Sequence, residues 1–180
     1  MIPDLLIGVW ADVPNEGIRH RLTALECHVL ALAEQRGGLT TDTLREVFRL
    51  RSERGAEVLA KLSRKRLLRD ENNRFELTVG AATSTMKIIA IEAKLCKWRT
   101  ALTQASSYLE FANSAWVVLD RNQCKITPAI HAEFLSNGIG LALLSGPIIE
   151  VLARPDQTVP VSGARWIAAS KLGQAKTAIP

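Results

Sequence analysis

Lys87-Ile-Ile-Ala-Ile-Glu-Ala-Lys94, followed by Leu95-Cys-Lys-Trp-Arg-Thr-Ala-Leu-Thr-Gln-Ala-Ser-Ser-Tyr108, is the stretch whose reading decides the fold. Its first half is β-branched and apolar until it meets two charges, the pattern of a buried strand. Glu92 and Lys94 are two residues apart, so on a strand they project from one face. A carboxylate and an ammonium at the end of an apolar strand are costly to bury unless they pair, bind metal or do chemistry. The second half has a helical period, with Trp98, Ala101, Leu102, Ala105, Leu109 and Ala112 recurring every three or four residues as far as Phe111. Gln104 and Tyr108 lie four apart, on one flank of that helix. Ala115-Trp-Val-Val-Leu119 then reads as the next strand.

Charge is unevenly placed. The chain has 180 residues and a net charge of +5. Between Arg36 and Arg74 eleven Lys/Arg stand against six Asp/Glu, an excess of five, and the rest of the chain holds twelve of each. All of the excess therefore falls in one segment, the footprint expected of a nucleic-acid-binding module. That segment has its own logic. Thr23 and Glu26 form a capping box ahead of Leu25, Val29 and Leu32, and Gly37-Gly38 ends the first helix. A second helix runs over about 41–48. A third begins with Ser52 as N-cap and buries Ala56, Val58, Leu59 and Leu62, leaving Arg54, Lys61, Arg64 and Lys65 on its other side. Leu67 to Leu77 alternates around Asn72-Asn73, a hairpin signal, and carries Arg69 and Arg74.

Elsewhere the chain is less distinctive. Ile2-Pro-Asp-Leu-Leu-Ile-Gly-Val-Trp10 is a short apolar strand with one acid, Asp4. Asp12–Gly17 and Gly80–Ser84 read as loop and linker. Thr127-Pro128 opens another helix, which carries His131, read as structural. Ile139–Leu144 and Ile148–Leu152 form a hairpin; beyond Pro155 the pattern is lost, and 174–180 resembles a frayed tail. Cys27, Cys96 and Cys124 are odd in number and widely spaced, which predicts reduced thiols in a cytoplasmic protein and no zinc site. His20 and His28 make a poor metal pair. No apolar run reaches the ~18 residues of a membrane span, and no signal pattern opens the chain.

The Glu-x-Lys strand, the helix with Gln104 and Tyr108, the strand after it and the dipeptide Pro3-Asp4 together resemble the core of the PD-(D/E)XK nuclease superfamily. The three helices and basic hairpin resemble a winged helix-turn-helix domain. The resemblance implies an α/β (α+β) fold, a mixed sheet flanked by helices and interrupted by a winged-helix domain. Residues 1–18 and 80–154 would form the nuclease-like domain, 20–79 the winged helix and 155–180 a C-terminal extension. It further implies catalysis by Asp4, Glu92, Lys94 and Gln104 with Tyr108 in support. Mg²⁺ or Mn²⁺ would be held by Asp4, Glu92 and the Ala93 carbonyl. DNA would be gripped by Arg54, Lys61, Arg64, Lys65, Arg69 and Arg74. The superfamily core begins with a helix and a strand ahead of the Asp strand, and only three residues precede Asp4 here. A longer chain, or a second copy or partner chain completing that edge, would restore them. The competing expectations are a DNA-binding regulator on an inactive nuclease-like scaffold, and a protein-interaction module.

Overall fold

The computed structural model describes residues 2–10, 20–78 and 86–174. The loop and linker expected at Asp12–Gly17 and Gly80–Ser84, and the tail beyond Gln174, lie outside them. The described residues are mixed α and β, with six helices, a five-stranded sheet and a separate two-stranded one. The chain divides into two units: residues 1–9 with 87–160, and residues 10–86 with 161–180.

In the first unit β1 (Leu5–Trp10), β4 (Met86–Lys94), β5 (Ser114–Asp120), β6 (Gly140–Ser145) and β7 (Ile148–Ala153) lie side by side in the order β1-β4-β5-β6-β7. The first strand is thus hydrogen-bonded to the Glu92 strand, although the whole second unit separates them in sequence. Strands β4, β5 and β6 are mutually parallel and β7 is antiparallel to β6. Parallel neighbours need a crossover, and helices supply both. They are α4 (Trp98–Tyr108) between β4 and β5, and α5 (Pro128–Ser136) between β5 and β6. The latter starts as its sequence predicts, with the Thr127 side chain accepting from Ile130 N and Pro128 in the first turn.

Side-chain alternation assigns the sheet's two faces. Ile88, Ala90 and Glu92 of β4 share a face with Ala115, Val117 and Leu119 of β5 and with Leu141 and Leu143 of β6. All of these are buried. They pack under Ala101, Leu102, Ala105 and Tyr108 of α4 and Phe134 of α5. Helix α4 stops at Tyr108, short of the expected Phe111, where Leu109 N turns back to the carbonyls of Ser106 and Ser107.

The second unit contains α1 (Ala24–Arg36), α2 (Thr41–Phe48), α3 (Ser52–Arg64), β2 (Leu68–Glu71), β3 (Arg74–Leu77) and α6 (Gly163–Gln174). The capping box at Thr23 and Glu26 forms, and Gly37 closes α1 in the left-handed region at φ 64°. Asn72 and Asn73 take φ of 54° and 64°, the two positive values that a tight hairpin turn between twisted strands requires. Leu39 adds a bridge to Phe75, with N–H···O distances of 2.9 and 2.7 Å, so the hairpin has a third, single-residue neighbour.

Two expectations are corrected. Ser52 is the first helical residue and Arg51 occupies the cap position without a side-chain bond. Gly55 rather than Ala56 faces inward, because at Gly55 α3 comes close to α2; a Cβ there would already touch Leu44 at 3.7 Å. Residues 155–180, expected as a C-terminal extension, divide between the two units. Residues up to 160 belong to the first unit, and α6 packs on α1 within the second. Its Trp166 is fully buried in the same core as Leu30, Leu59 and Leu62, and its indole N–H donates to Glu34 Oε2 at 3.1 Å. No helix among the described residues is long and apolar enough to cross a membrane.

Candidate active site

The site grows from the end of β4. Its alternation turns Glu92 inward, where the residue is 1% exposed. An ionised carboxylate so placed needs partners for both oxygens. Tyr108, in the last turn of α4 and itself fully buried, donates its hydroxyl to Glu92 Oε2 at 2.6 Å. The same hydroxyl lies 3.2 Å from the Ile2 carbonyl oxygen. Lys94, two residues on and half-buried, donates to Oε1. Burial pushes the Tyr108 hydroxyl above its ordinary pKa, and its bond to Glu92 adds to that, so it stays a donor.

Asp4 reaches the site from the other end of the chain. Its Oδ2 accepts from the Ala93 backbone N–H at 2.9 Å and lies 3.7 Å from Lys94 Nζ. One ammonium therefore pairs with both carboxylates. The hydrogen bond to Glu92 first, then the charges of Glu92 and Asp4, raise the Lys94 pKa. Asp4 is half-exposed where Glu92 is sealed, so the pair is open on one side.

Gln104 stands one turn before Tyr108 on α4. Its Oε1 is buried and lacks a hydrogen-bond partner. An unpaired buried acceptor costs about 1–3 kcal/mol, a penalty that a bound donor or cation would remove. Asp4, Glu92, Ala93, Lys94, Gln104 and Tyr108 all lie in the first unit. Hydrogen bonds or ion pairs join Asp4, Ala93, Lys94, Glu92 and Tyr108 in one chain; Gln104 stands outside that network. Among the described residues no three His, Cys, Asp or Glu side chains cluster as a ready metal site.

No family model matches the chain, and neither a curated protein nor a solved structure gives a significant match.

The basic residues singled out in the second unit have distinct circumstances. Glu26 is almost completely buried, and its carboxylate accepts from Thr23 N at 2.7 Å, Lys65 Nζ at 3.0 Å and Lys61 Nζ at 3.1 Å. Burial alone would raise its pKa, but these three donors together hold it at about 2. Lys61 and Lys65 thus hold α3 to the start of α1, and Lys65 also donates to the Arg21 carbonyl. Arg54 pairs with Glu57 at 2.6 Å, Arg69 with Glu71 at 2.8 Å and Arg74 with Glu76 at 3.2 Å. Arg74 also donates to the Gly37 carbonyl at the end of α1. Arg64, together with Arg49, Arg51 and Arg66, is exposed and has no acidic partner among the described residues. The sequence reading missed the last three because they flank α3 instead of lying on its face. The role of Glu26 was also missed: the i, i+3 capping spacing turns its carboxylate back onto the helix start, but only packing buries it beside Lys61 and Lys65.

Proposed function

We propose that the chain is a cation-dependent phosphodiester hydrolase of the PD-(D/E)XK kind, with a mixed-sheet unit carrying the reaction centre and a winged-helix unit binding DNA. One observation carries this reading. Asp4 and Glu92, from opposite sides of the inserted unit in sequence, meet on the single ammonium of Lys94. Two carboxylates are hard oxygen donors, and such a pair fits Mg²⁺ or Mn²⁺. Asp4 and Glu92 would hold the ion, with the Ala93 carbonyl added on the strength of the resemblance. When bound, it supplies neutralisation of phosphate charge and activation of water.

The remaining work falls to the chain's own side chains. Tyr108 holds Oε2 of Glu92, leaving Oε1 to the Lys94 ammonium. Lys94 keeps its proton, because both carboxylates raise its pKa. Its role is then to orient water and balance developing negative charge at Nζ, in preference to removing a proton. Gln104 offers Oε1 as an acceptor for a donor on water or ligand.

For the winged-helix unit, a protein-interaction role is favoured by the pairing of Arg54 with Glu57 and of Lys61 with Glu26, which leaves Arg64 as the one α3 cation without an acidic partner among the described residues. Salt dependence separates the two, since phosphate contacts release counterions and protein contacts do not. The test of hydrolysis uses single-stranded, duplex and branched DNA. Cleavage with Mn²⁺ or Mg²⁺, binding without cleavage in Ca²⁺, and loss of cleavage in Glu92→Gln are the expected results. Equal inertness of wild type and Glu92→Gln on every substrate with Mn²⁺ rejects the hydrolase reading.

A further inference from the structure

Helices α4 and α5 of the first unit lie on one face of the five-stranded sheet. On the other, Lys87 and Ile89 of β4, Trp116 of β5 and Leu144, Ile149 and Val151 toward the far edge are exposed or half-exposed. At the start of the parallel strands this face holds a groove of about 480 Å³, floored by Ile89 and Trp116 and rimmed by Lys87, Arg154 and Gln157. That volume lies within the ~300–1,000 Å³ of small-molecule sites.

The groove is built from specific features. Trp116 is register partner to Gly140 on β6, and its indole lies across that glycine. A Cβ at residue 140 would come within 2.5 Å of the ring, so only glycine lets the indole lie down on the sheet. The wall bearing Arg154 and Gln157 is pinned at two points. Asp156 N donates to the Gly138 carbonyl at 3.0 Å, and Thr158 N donates to the Asn113 carbonyl at 2.8 Å. Asn113 is buried and locked in turn, accepting from Ile88 N and donating to the Thr158 carbonyl. Lys87 and Arg154 have no acidic partner among the described residues. A flat indole between two uncompensated cations, on a rigid sheet, complements a ligand with a π face and negative charge.

We infer that this groove binds one nucleotide of a single-stranded nucleic acid, with the base stacked on Trp116 and the adjoining phosphates held by Lys87 and Arg154. A duplex hides its base faces in its own stack, whereas a single strand offers them, and base–aromatic stacking tolerates any sequence. Lys87 is five residues before Glu92, which places the groove ~16 Å along β4 from the carboxylate and on the opposite face. The inference shares with the proposed function only the class of ligand. It requires neither hydrolysis nor binding by the helix-and-hairpin unit.

The test is fluorescence anisotropy of fluorescein-labelled dT12 with the full chain in EDTA, beside a labelled duplex of equal length and dTMP as competitor. Trp116→Leu is expected to weaken dT12 binding at least fivefold, the lower end of one stacked base, and Trp116→Phe to restore most of it. Lys87→Gln with Arg154→Gln, both exposed and safe for folding, is expected to lower the salt slope by about 1.4, from ~0.7 per phosphate. Duplex binding should stay within twofold in every variant, because it reads the other unit. Should duplex binding and cleavage both fail while these effects persist, the proposed function falls and the groove stands. Binding of dT12 within twofold of wild type in the double variant overturns the inference. Competition by dTMP at the affinity of dT12 overturns the single strand in favour of a free nucleotide.

Discussion

Tyr108→Phe removes one oxygen atom and isolates the bond that fixes Glu92. The ring stays in its packed position beside Phe111 at a centroid distance of 5.9 Å, so no cavity opens. What is lost is a 2.6 Å hydrogen bond to a carboxylate that is 1% exposed. Hydrogen bonds to charged groups contribute about 1.5–3 kcal/mol, and a buried carboxylate oxygen left without its donor sits at the upper end. The first unit should therefore lose about 2–3 kcal/mol of stability at neutral pH. The two units do not have to unfold together, so a single melting curve is the wrong probe. Amide exchange resolved by peptide is the right one: β4 and β5 amides should exchange about 30–150-fold faster, from 1.4 kcal/mol per tenfold, while α1 and α3 amides stay unchanged. The double variant with Glu92→Gln gives the coupling, expected at about 1–2 kcal/mol because the two groups touch directly. Unchanged exchange in β4, or additive effects within 0.3 kcal/mol, would refute the assignment of Tyr108 as the residue that positions Glu92.

Three further outcomes follow from the second unit. The Glu26 carboxyl is held at about 2 against an ordinary 4.5, so its contribution of about 3 kcal/mol is fully present above pH ~4.5 and drains away as pH falls toward 2. Glu26→Gln should flatten that acid limb, measured as exchange of α1 and α3 amides against pH. Trp166→Ala should destabilise the same unit by about 3–5 kcal/mol, as for other fully buried aromatic residues, and a chain ended before residue 161 should fare no better. A result under 1 kcal/mol would contradict a structural role for α6 in that core. Replacing Arg51, Arg64 and Arg66 by Gln should lower the salt slope of duplex binding by up to about 2.7, whereas Lys61→Gln with Lys65→Gln should cost stability more than affinity. Anisotropy at several salt concentrations, with exchange as the stability control, separates these outcomes.

The elements were legible where local chemistry decides them. Period-two and period-3.6 patterns place β4, α4, β5 and α3, and the caps at Thr23 and Thr127 sit where their sequences put them. The pairing of β1 with β4 was reached through the resemblance, which sets Pro3-Asp4 beside the Glu92 strand; no local pattern in either strand specifies it. Helix α6 escaped because its cap, Ser162 accepting from Arg165 N, precedes an Ala-rich run of weak amphipathicity. Its partner surface on α1 is defined only by the tertiary fold. The basic face of α3 was over-read for a related reason. Lys61 and Lys65 look solvated in sequence, and only packing brings them onto a carboxylate 35 or more positions away. The groove around Trp116 was invisible, since it depends on Gly140 lying beside the indole across a parallel register.

The central claim is that Asp4 and Glu92 form one cation site beside Lys94. A titration of Mn²⁺ followed by electron paramagnetic resonance tests it without recourse to activity. Wild type should bind one ion per chain at the site and lose it in Glu92→Gln. In Lys94→Ala it should bind that ion more tightly, because the ammonium that pairs with both carboxylates no longer competes. Mn²⁺ binding of equal strength in wild type and Glu92→Gln, or none in wild type at millimolar ion, would contradict the account.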